Sequence, residues 1–256
     1  EGRRKSMNAM EQLREMINNS NNIVFFGGAG VSTASGIPDF RSSDGLYSRK
    51  LGKNFSPEEA VSHSFFINYP DEFYDFYKKN LIYTDAEPNK CHEALYELEK
   101  MGKLKGIVTQ NIDGLHQMAG SKKVYELHGS VLRNTCTHCQ TKYSLEDMMK
   151  LRDNEGIPRC SKCGAIIKPD VVLYEEGLDE YTLYSAIHAI EQADLLIVGG
   201  TSLVVYPAAG LINYFHGKHL VLINKDSTNM DSKADLVIHD SIGKVLDDSL
   251  CEVYVK

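Results

Sequence analysis

The chain has 256 residues, enough to bury a sizeable core in one large domain or two unequal ones. Its composition is that of an ordinary globular protein, with no apolar run near the roughly 18 residues of a membrane span and no paired basic and apolar leader, so a cytoplasmic protein is expected. A formal charge of −7 argues against a surface that coats nucleic acid and suits a basic peptide partner better.

Residues 1–5 carry three basic groups and no apolar pattern and are left outside the fold reading. Met7, Met10, Leu13 and Ile17 recur at near-helical spacing ahead of an asparagine-rich break at 18–22, which predicts a first helix. The run Ile23-Val24-Phe25-Phe26 then meets Gly27, Gly28 and Gly30 and a stretch of small residues, which reads as a buried strand turning into a helix start. Closely spaced glycines admit a ligand to backbone amides, and a helix start presents unpaired N–H groups, so the junction suits phosphate; a purely structural glycine turn is the alternative. The spacing departs from the dehydrogenase fingerprint Gly-x-Gly-x-x-Gly, because Thr33 stands in the third position and the next glycine is Gly36. Pro38-Asp39-Phe40-Arg41 follow, with an aromatic ring and a cation suited to a segment that folds over a nucleotide.

The next stretch, to about Asp85, is rich in aromatics: Phe65, Phe66, Tyr69, Phe73, Tyr74, Phe76 and Tyr77. Their helical spacing favours a core face over a stacking platform, with some rings free to line an apolar channel. Beyond Pro88, Cys91, Leu95 and Leu98 mark one face of a helix that leads into a strand at 106–109. Further strand-length apolar runs lie at 124–127, 194–198, 220–223 and 236–238, and a helical pattern over 181–190 precedes the second of these runs. Alternation of this kind predicts an α/β, doubly wound parallel sheet. Several strands end in polar tails, at Gln110 to Asp113, His128-Gly129, Gly199 to Ser202 and Asn224 to Asp226, and such tails converge on one crevice in an open parallel sheet.

A cysteine-bearing stretch interrupts the alternation. Cys136-x-x-Cys139 and Cys160-x-x-Cys163 are separated by 20 residues, the spacing of two zinc knuckles. Four thiolates satisfy tetrahedral zinc with no open position, so the site is expected to be structural; a redox pair or disulfides are the competing reading. His138 is expected to be exposed, and Cys91 and Cys251 to be small buried hydrophobes.

Taken together, Gly28-Ala29-Gly30-Val31-Ser32, Gly36 through Arg41, Thr109 through His116, His128-Gly129, the two cysteine pairs and Gly200 through Pro207 resemble the sirtuins, NAD-dependent protein lysine deacylases, of bacterial type. The resemblance covers nearly the whole chain. It implies a Rossmann-like doubly wound sheet over 7–43, 86–128 and 171–256, a helical module over 44–85 and a small zinc-binding module over 129–170. It implies NAD as a consumed co-substrate, one structural Zn2+, acylated-lysine proteins or peptides as partners, and no direct nucleic-acid or membrane contact.

By the same resemblance, Ala29, Thr33, Phe40 and Arg41 would contact NAD at its phosphates and nicotinamide end, and Gln110, Asn111, Ile112 and Asp113 would hold the nicotinamide ribose and carboxamide. Thr201, Ser202, Asn224 and Lys225 would hold the adenosine end, with a backbone contact from Ile242. His128 would be the general base, with Asn111 and Asp113 completing the catalytic set; a neutral imidazole can accept a ribose hydroxyl proton near neutral pH. The acyl oxygen would attack the anomeric carbon, giving nicotinamide, O-acyl-ADP-ribose and free lysine. Cys136, Cys139, Cys160 and Cys163 would hold the zinc. The peptide would add as a strand between Val171 to Tyr174, including Leu173, and Ser202 to Val205, including Leu203 and Val204.

Two departures are visible. The family usually has Phe-Gly-Glu where this chain has Tyr174-Glu175-Glu176, and the added carboxylate is expected to favour basic peptides. Members that prefer acidic acyl groups carry Tyr-x-x-Arg in the helical module; Phe76 and Lys79 align there, so acetyl or another neutral acyl group is expected. Mono-ADP-ribosyl transfer on the same scaffold, and a non-catalytic NAD-sensing interaction module, remain the alternatives. His92 and His116 are read as structural or supporting, and His63, His188, His216, His219 and His239 have no motif support.

Overall fold

The computed structural model describes residues 6–42, 46–48 and 51–251; residues 1–5, Asp44 at the expected start of the helical module, and 252–256 lie outside them. Helix α1 (Ala9–Asn18) leads into strand β1 (Ile23–Gly27). A short antiparallel ribbon, β2 (Leu46–Ser48) and β3 (Lys53–Phe55), is followed by helices α2 (Pro57–Ala60), α3 (His63–Asn68) and α4 (Pro70–Asn80). Helix α5 (Lys90–Lys100), strand β4 (Leu104–Thr109), helix α6 (Leu115–Ala119) and strand β5 (Val124–Glu126) come next. Strands β6 (Gly129–Cys136), β7 (Lys142–Ser144) and β8 (Ile167–Val171) form a small antiparallel sheet around α7 (Leu145–Lys150). The chain returns through α8 (Glu180–Gln192), β9 (Leu195–Gly199), β10 (His219–Ile223), β11 (Leu236–Ile238) and α9 (Ile242–Leu250).

The main sheet is parallel throughout, in the order β11-β10-β9-β1-β4-β5. Beyond β1 the chain first builds toward β4 and β5 and later toward β10 and β11, so β1 and β9 flank the point where strand order reverses. Every residue of β1 is buried, as a strand covered on both faces requires. Phe25 packs with α1, α5 and α9 on one face, and Phe26 with α8 and the 208–214 segment on the other. Burying each ring contributes roughly 1.5–3 kcal/mol.

Helix α1 begins at a capping box in which the Asn8 side chain accepts the Glu11 N–H at 2.8 Å and the Glu11 carboxylate accepts the Asn8 N–H at 2.9 Å. Leu13 and Ile17 are buried, Met10 packs beside them, and Met7 lies outside the helix and exposed. The expected regular helix after the glycine run does not form. Two single 3-10 turns, Ala29–Val31 and Thr33–Ser35, stand there and the second ends at Gly36. Small residues without apolar periodicity give a longer helix no face to bury, so the junction offers turn amides and no extended dipole.

The aromatic run forms a core, as its spacing predicts. That core is continuous with the cysteine region, uniting Phe66, Phe73, Tyr74 and Tyr77 with Cys136, Met148, Cys160, Ile167 and Leu173. The Tyr74 hydroxyl donates to the Ile167 carbonyl and ties α4 to β8. Cys91 is fully buried and His138 exposed, as expected. Cys251 is exposed, contrary to expectation, because it follows the last buried turn of α9.

Candidate active site

The carboxyl ends of β1, β4 and β9 open into a cleft of about 460 Å³, walled on the far side by the helical segment and by residues 171–178 beyond the cysteine-bearing stretch. Its floor is built from backbone. Gly30 donates its N–H to the Gly200 carbonyl at 2.8 Å, and a Cβ on Gly30 would lie 2.8 Å from Gly200 Cα, so only glycine lets the loops after β1 and β9 meet this closely.

The polar side chains around this floor form two hydrogen-bonded sets, one around Ser32, Asn111 and Asp113 and one joining Gln110 to Thr201. Ser32 Oγ donates to Asp113 Oδ2 at 2.6 Å, and Leu115 N–H donates to Asp113 Oδ1 at 3.0 Å. Asn111 Nδ2 donates to the Gly28 carbonyl at 2.9 Å and to Ser32 Oγ at 3.3 Å. Thr201 Oγ1 donates to Gln110 Oε1 at 2.9 Å, joining the tails of β4 and β9. Ser32 stands in the glycine motif with no role evident from sequence, and only the fold shows that it bridges Asn111 and Asp113.

His128 follows β5 and faces the cleft, with Nδ1 at 3.0 Å from the Gln110 carbonyl. A carbonyl only accepts, so Nδ1 carries the proton and Nε2 is left as the base. Burial holds the imidazole below its ordinary pKa; the Gln110 hydrogen bond opposes this and the nearby Arg41 charge reinforces it. Gly129 fixes the backbone beyond the base at φ 77°, and a Cβ there would lie 1.9 Å from the Asp170 carbonyl oxygen.

The cleft brings together Ala29, Thr33, Phe40, Arg41, Gln110, Asn111, Ile112, Asp113, His128, Thr201, Ser202 and Asn224, with Val171, Leu173, Tyr174 and Val204 along the expected peptide side. Three residues fall elsewhere. Lys225 is exposed outside the cleft lining, Leu203 turns into the core, and Ile242 packs its side chain beneath Gly199, where a Cβ would lie 2.5 Å from Ile242 Cδ1. The helical register also needs correction. Phe76 is buried and Lys79 is exposed beside Asp75, whereas Tyr77 and Asn80 reach the cleft. The aromatics of α4 share one face, and spacing alone does not say which edge of that face, and so which i, i+3 pair, borders the ligand. Tyr77 is fully buried, its hydroxyl has no hydrogen-bond partner among the described residues, and burial pushes its pKa up.

Glu175 has a use that the sequence did not show. Its carboxylate accepts from Ser64 N at 2.9 Å and Ser64 Oγ at 2.6 Å in the first turn of α3, which holds its pKa down. A carboxylate so engaged is not free to select basic peptides.

Remote from the network, the sulfurs of Cys136, Cys139, Cys160 and Cys163 lie within 4.8 Å of one another, and no cysteine among the described residues is in a disulfide. Backbone N–H groups of His138 and Cys139 point at Cys136 Sγ, each at 3.4 Å, and that of Lys162 at Cys160 Sγ, also at 3.4 Å. Tetrahedral zinc with bonds of about 2.3 Å places its sulfurs about 3.8 Å apart, so this donor set fits the ion.

The model of the Sir2 family matches residues 28–207. An NAD-dependent protein deacetylase of Clostridium perfringens is 67% identical over 238 residues, covering 93% of this chain and 96% of that protein. One of Clostridium acetobutylicum is 57% identical over 241 residues, covering 94% and 98%. A solved structure of Sir2 with p53 peptide and NAD+ superposes with a TM-score of 0.84 at 38% identity, covering 98% of this chain and 100% of that one. A structure of Sir2 bound to acetylated peptide gives 0.86 at 37% identity with the same coverage.

Proposed function

This chain belongs to the Sir2 family, and from that membership we propose that it removes acetyl groups from protein lysine side chains in an NAD-dependent reaction. The observation that carries this reading is the single cleft in which the Nε2 base of His128 stands with the Ser32, Asn111 and Asp113 network. NAD, consumed in the reaction, supplies the ADP-ribosyl unit that accepts the acetyl group, with release of nicotinamide.

Each residue then has a defined task. His128 accepts a proton from a ribose hydroxyl through Nε2. Gln110, Asn111, Ile112 and Asp113 hold the ribose and carboxamide end. Ala29, Thr33, Phe40 and Arg41 meet the phosphates, and Thr201, Ser202 and Asn224 the adenosine end. An acyl-lysine peptide lies as a strand between Val171 to Tyr174 and Ser202 to Val205, where main-chain pairing tolerates varied sequences. Asn80 offers an amide three residues after Tyr77, where an acidic acyl group would require a cation, so the pocket takes acetyl or a similar neutral group. Cys136, Cys139, Cys160 and Cys163 hold a zinc ion that braces the cleft wall and takes no part in the chemistry. No described helix is long and apolar enough to cross a membrane, and we place the reaction in the cytoplasm.

Mass spectrometry of an acetyl-lysine peptide, incubated with the protein with and without NAD, tests the reading. Loss of acetyl only with NAD, together with O-acetyl-ADP-ribose, is expected. Loss without NAD, faster removal of succinyl than acetyl, or an ADP-ribosyl mass gained by the peptide would overturn it.

A further inference from the structure

The segment that closes the peptide side of the cleft is gripped residue by residue. Tyr174 N–H donates to the Val61 carbonyl at 3.1 Å, and the Tyr174 carbonyl accepts from His63 N–H at 2.9 Å, so its backbone is pinned to the start of α3. Glu175 follows with φ 77° and caps Ser64. Glu176 accepts from Leu173 N–H at 2.8 Å, meets Lys168 at 3.2 Å, and lies 2.8 Å from His63 Nδ1. A backbone fixed on both sides holds the phenol of Tyr174 at a set reach.

That phenol meets the NAD loop. Arg41 Nε donates to the Tyr174 hydroxyl at 3.3 Å, while Arg41 Nη1 reaches both Asp39 carboxylate oxygens at 3.2 and 3.3 Å. The guanidinium also lies 5.0 Å from the centroid of the Phe40 ring. Asp39 and Phe40 belong to the same short loop and travel with Arg41. The contact to Tyr174 ties it to another element, and a phenylalanine there could not make it.

We propose that Tyr174 is a positioning residue that couples the two substrates: its hydroxyl accepts from Arg41 and ties the arginine of the NAD loop to the strand on which the acyl-lysine peptide lies. The proposal rests on the deacetylase reading given above. The grip on Tyr174 holds the phenol at the wall on which the peptide lies, and the guanidinium is presented there in one orientation. Without the hydroxyl, the partners of Arg41 among the described residues are those within the loop, and ordering it falls to NAD itself.

The test is a double-mutant cycle on Tyr174→Phe and Arg41→Lys. Two readouts are used: the KM for NAD at saturating acetyl-lysine peptide, and NAD affinity by calorimetry in the presence of the deacetylated peptide. Tyr174→Phe is expected to raise the KM and the Kd for NAD about fivefold, close to the worth of one hydrogen bond. In the Arg41→Lys background, which lacks the Nε–H, the same substitution should change neither by more than about 1.5-fold. Unchanged NAD binding, an equal loss in both backgrounds, or a loss confined to the peptide KM would overturn the proposal. Calorimetry needs no turnover, so an inactive protein would refute the deacetylase reading while leaving this coupling separately measurable.

Discussion

Lowering the pH from 7.5 to 5 should destabilise this protein through two histidines that lie beneath the network and outside the chemistry. His92 and His116 are buried with ring centroids 4.8 Å apart. His92 Nδ1 accepts the Asn89 N–H at 3.0 Å, its Nε2 has no partner among the described residues, and neither nitrogen of His116 has one. Burial pushes His92 down to about 4, with Asp113 opposing, and His116 down to about 3, with His92 adding to the fall. Unfolded histidines titrate near 6.5, so below that pH the unfolded chain takes up protons that the folded one refuses. Stability is therefore full above pH 6.5 and is lost as the pH falls toward 4 and then 3. At pH 5 each site lies about 1.5 units below its unfolded value, a cost of about 2 kcal/mol apiece and roughly 4 kcal/mol together. For a chain of this size the melting temperature falls by about 10 °C. The assay is thermal melting from pH 5 to 7.5 of the wild type and of His116→Leu, which removes an ionisable ring without breaking a hydrogen bond. The variant should lose about half as much over this range, while protonation at the cysteines affects both proteins alike. Parallel curves, or a wild-type melting temperature that does not fall, would refute the reasoning.

Because burial lowers the pKa of His128, the acidic limb of kcat/KM should lie below pH 6.5; a limb above that value in a pH–rate profile contradicts the assigned environment. His128→Ala should cut turnover about a thousandfold while leaving NAD affinity within a few-fold, as judged by rapid-mix kinetics and calorimetry. Gly129→Ala combines a left-handed backbone with a Cβ 1.9 Å from the Asp170 carbonyl oxygen, so denaturant unfolding should show a loss of at least about 3 kcal/mol. Cys160→Ser should abolish stoichiometric zinc by elemental analysis and lower the yield of folded protein, because the donor set then falls to three thiolates.

Local pattern was enough for the sheet. The apolar runs at 194–198 and 220–223 became β9 and β10 within a residue, because a strand covered on both faces has few other uses for such a run. The cysteine spacing likewise foretold four converging sulfurs. What escaped depends on the side to which a residue turns. Tyr77 rather than Phe76 reaches the cleft although both lie on the one aromatic face of α4, because tertiary packing sets which edge of that face borders the cleft. Leu203 turns inward to pack with the core beside β9, which its place in the motif does not reveal. Ser32 and the Arg41 to Tyr174 contact are long-range pairings that no local spacing encodes.

The unbroken core that runs from Cys136 and Cys160 through Tyr74 and Phe73 to Tyr77 makes the metal a remote governor of substrate appetite. Molecules that shed their zinc would slacken the acyl wall, which shares that packing, and with it Phe40 and Ile112 on the nucleotide side, which rest on the same core. A batch short of metal would thus respond less to peptide and to NAD alike, so zinc content belongs beside specific activity whenever two preparations are compared.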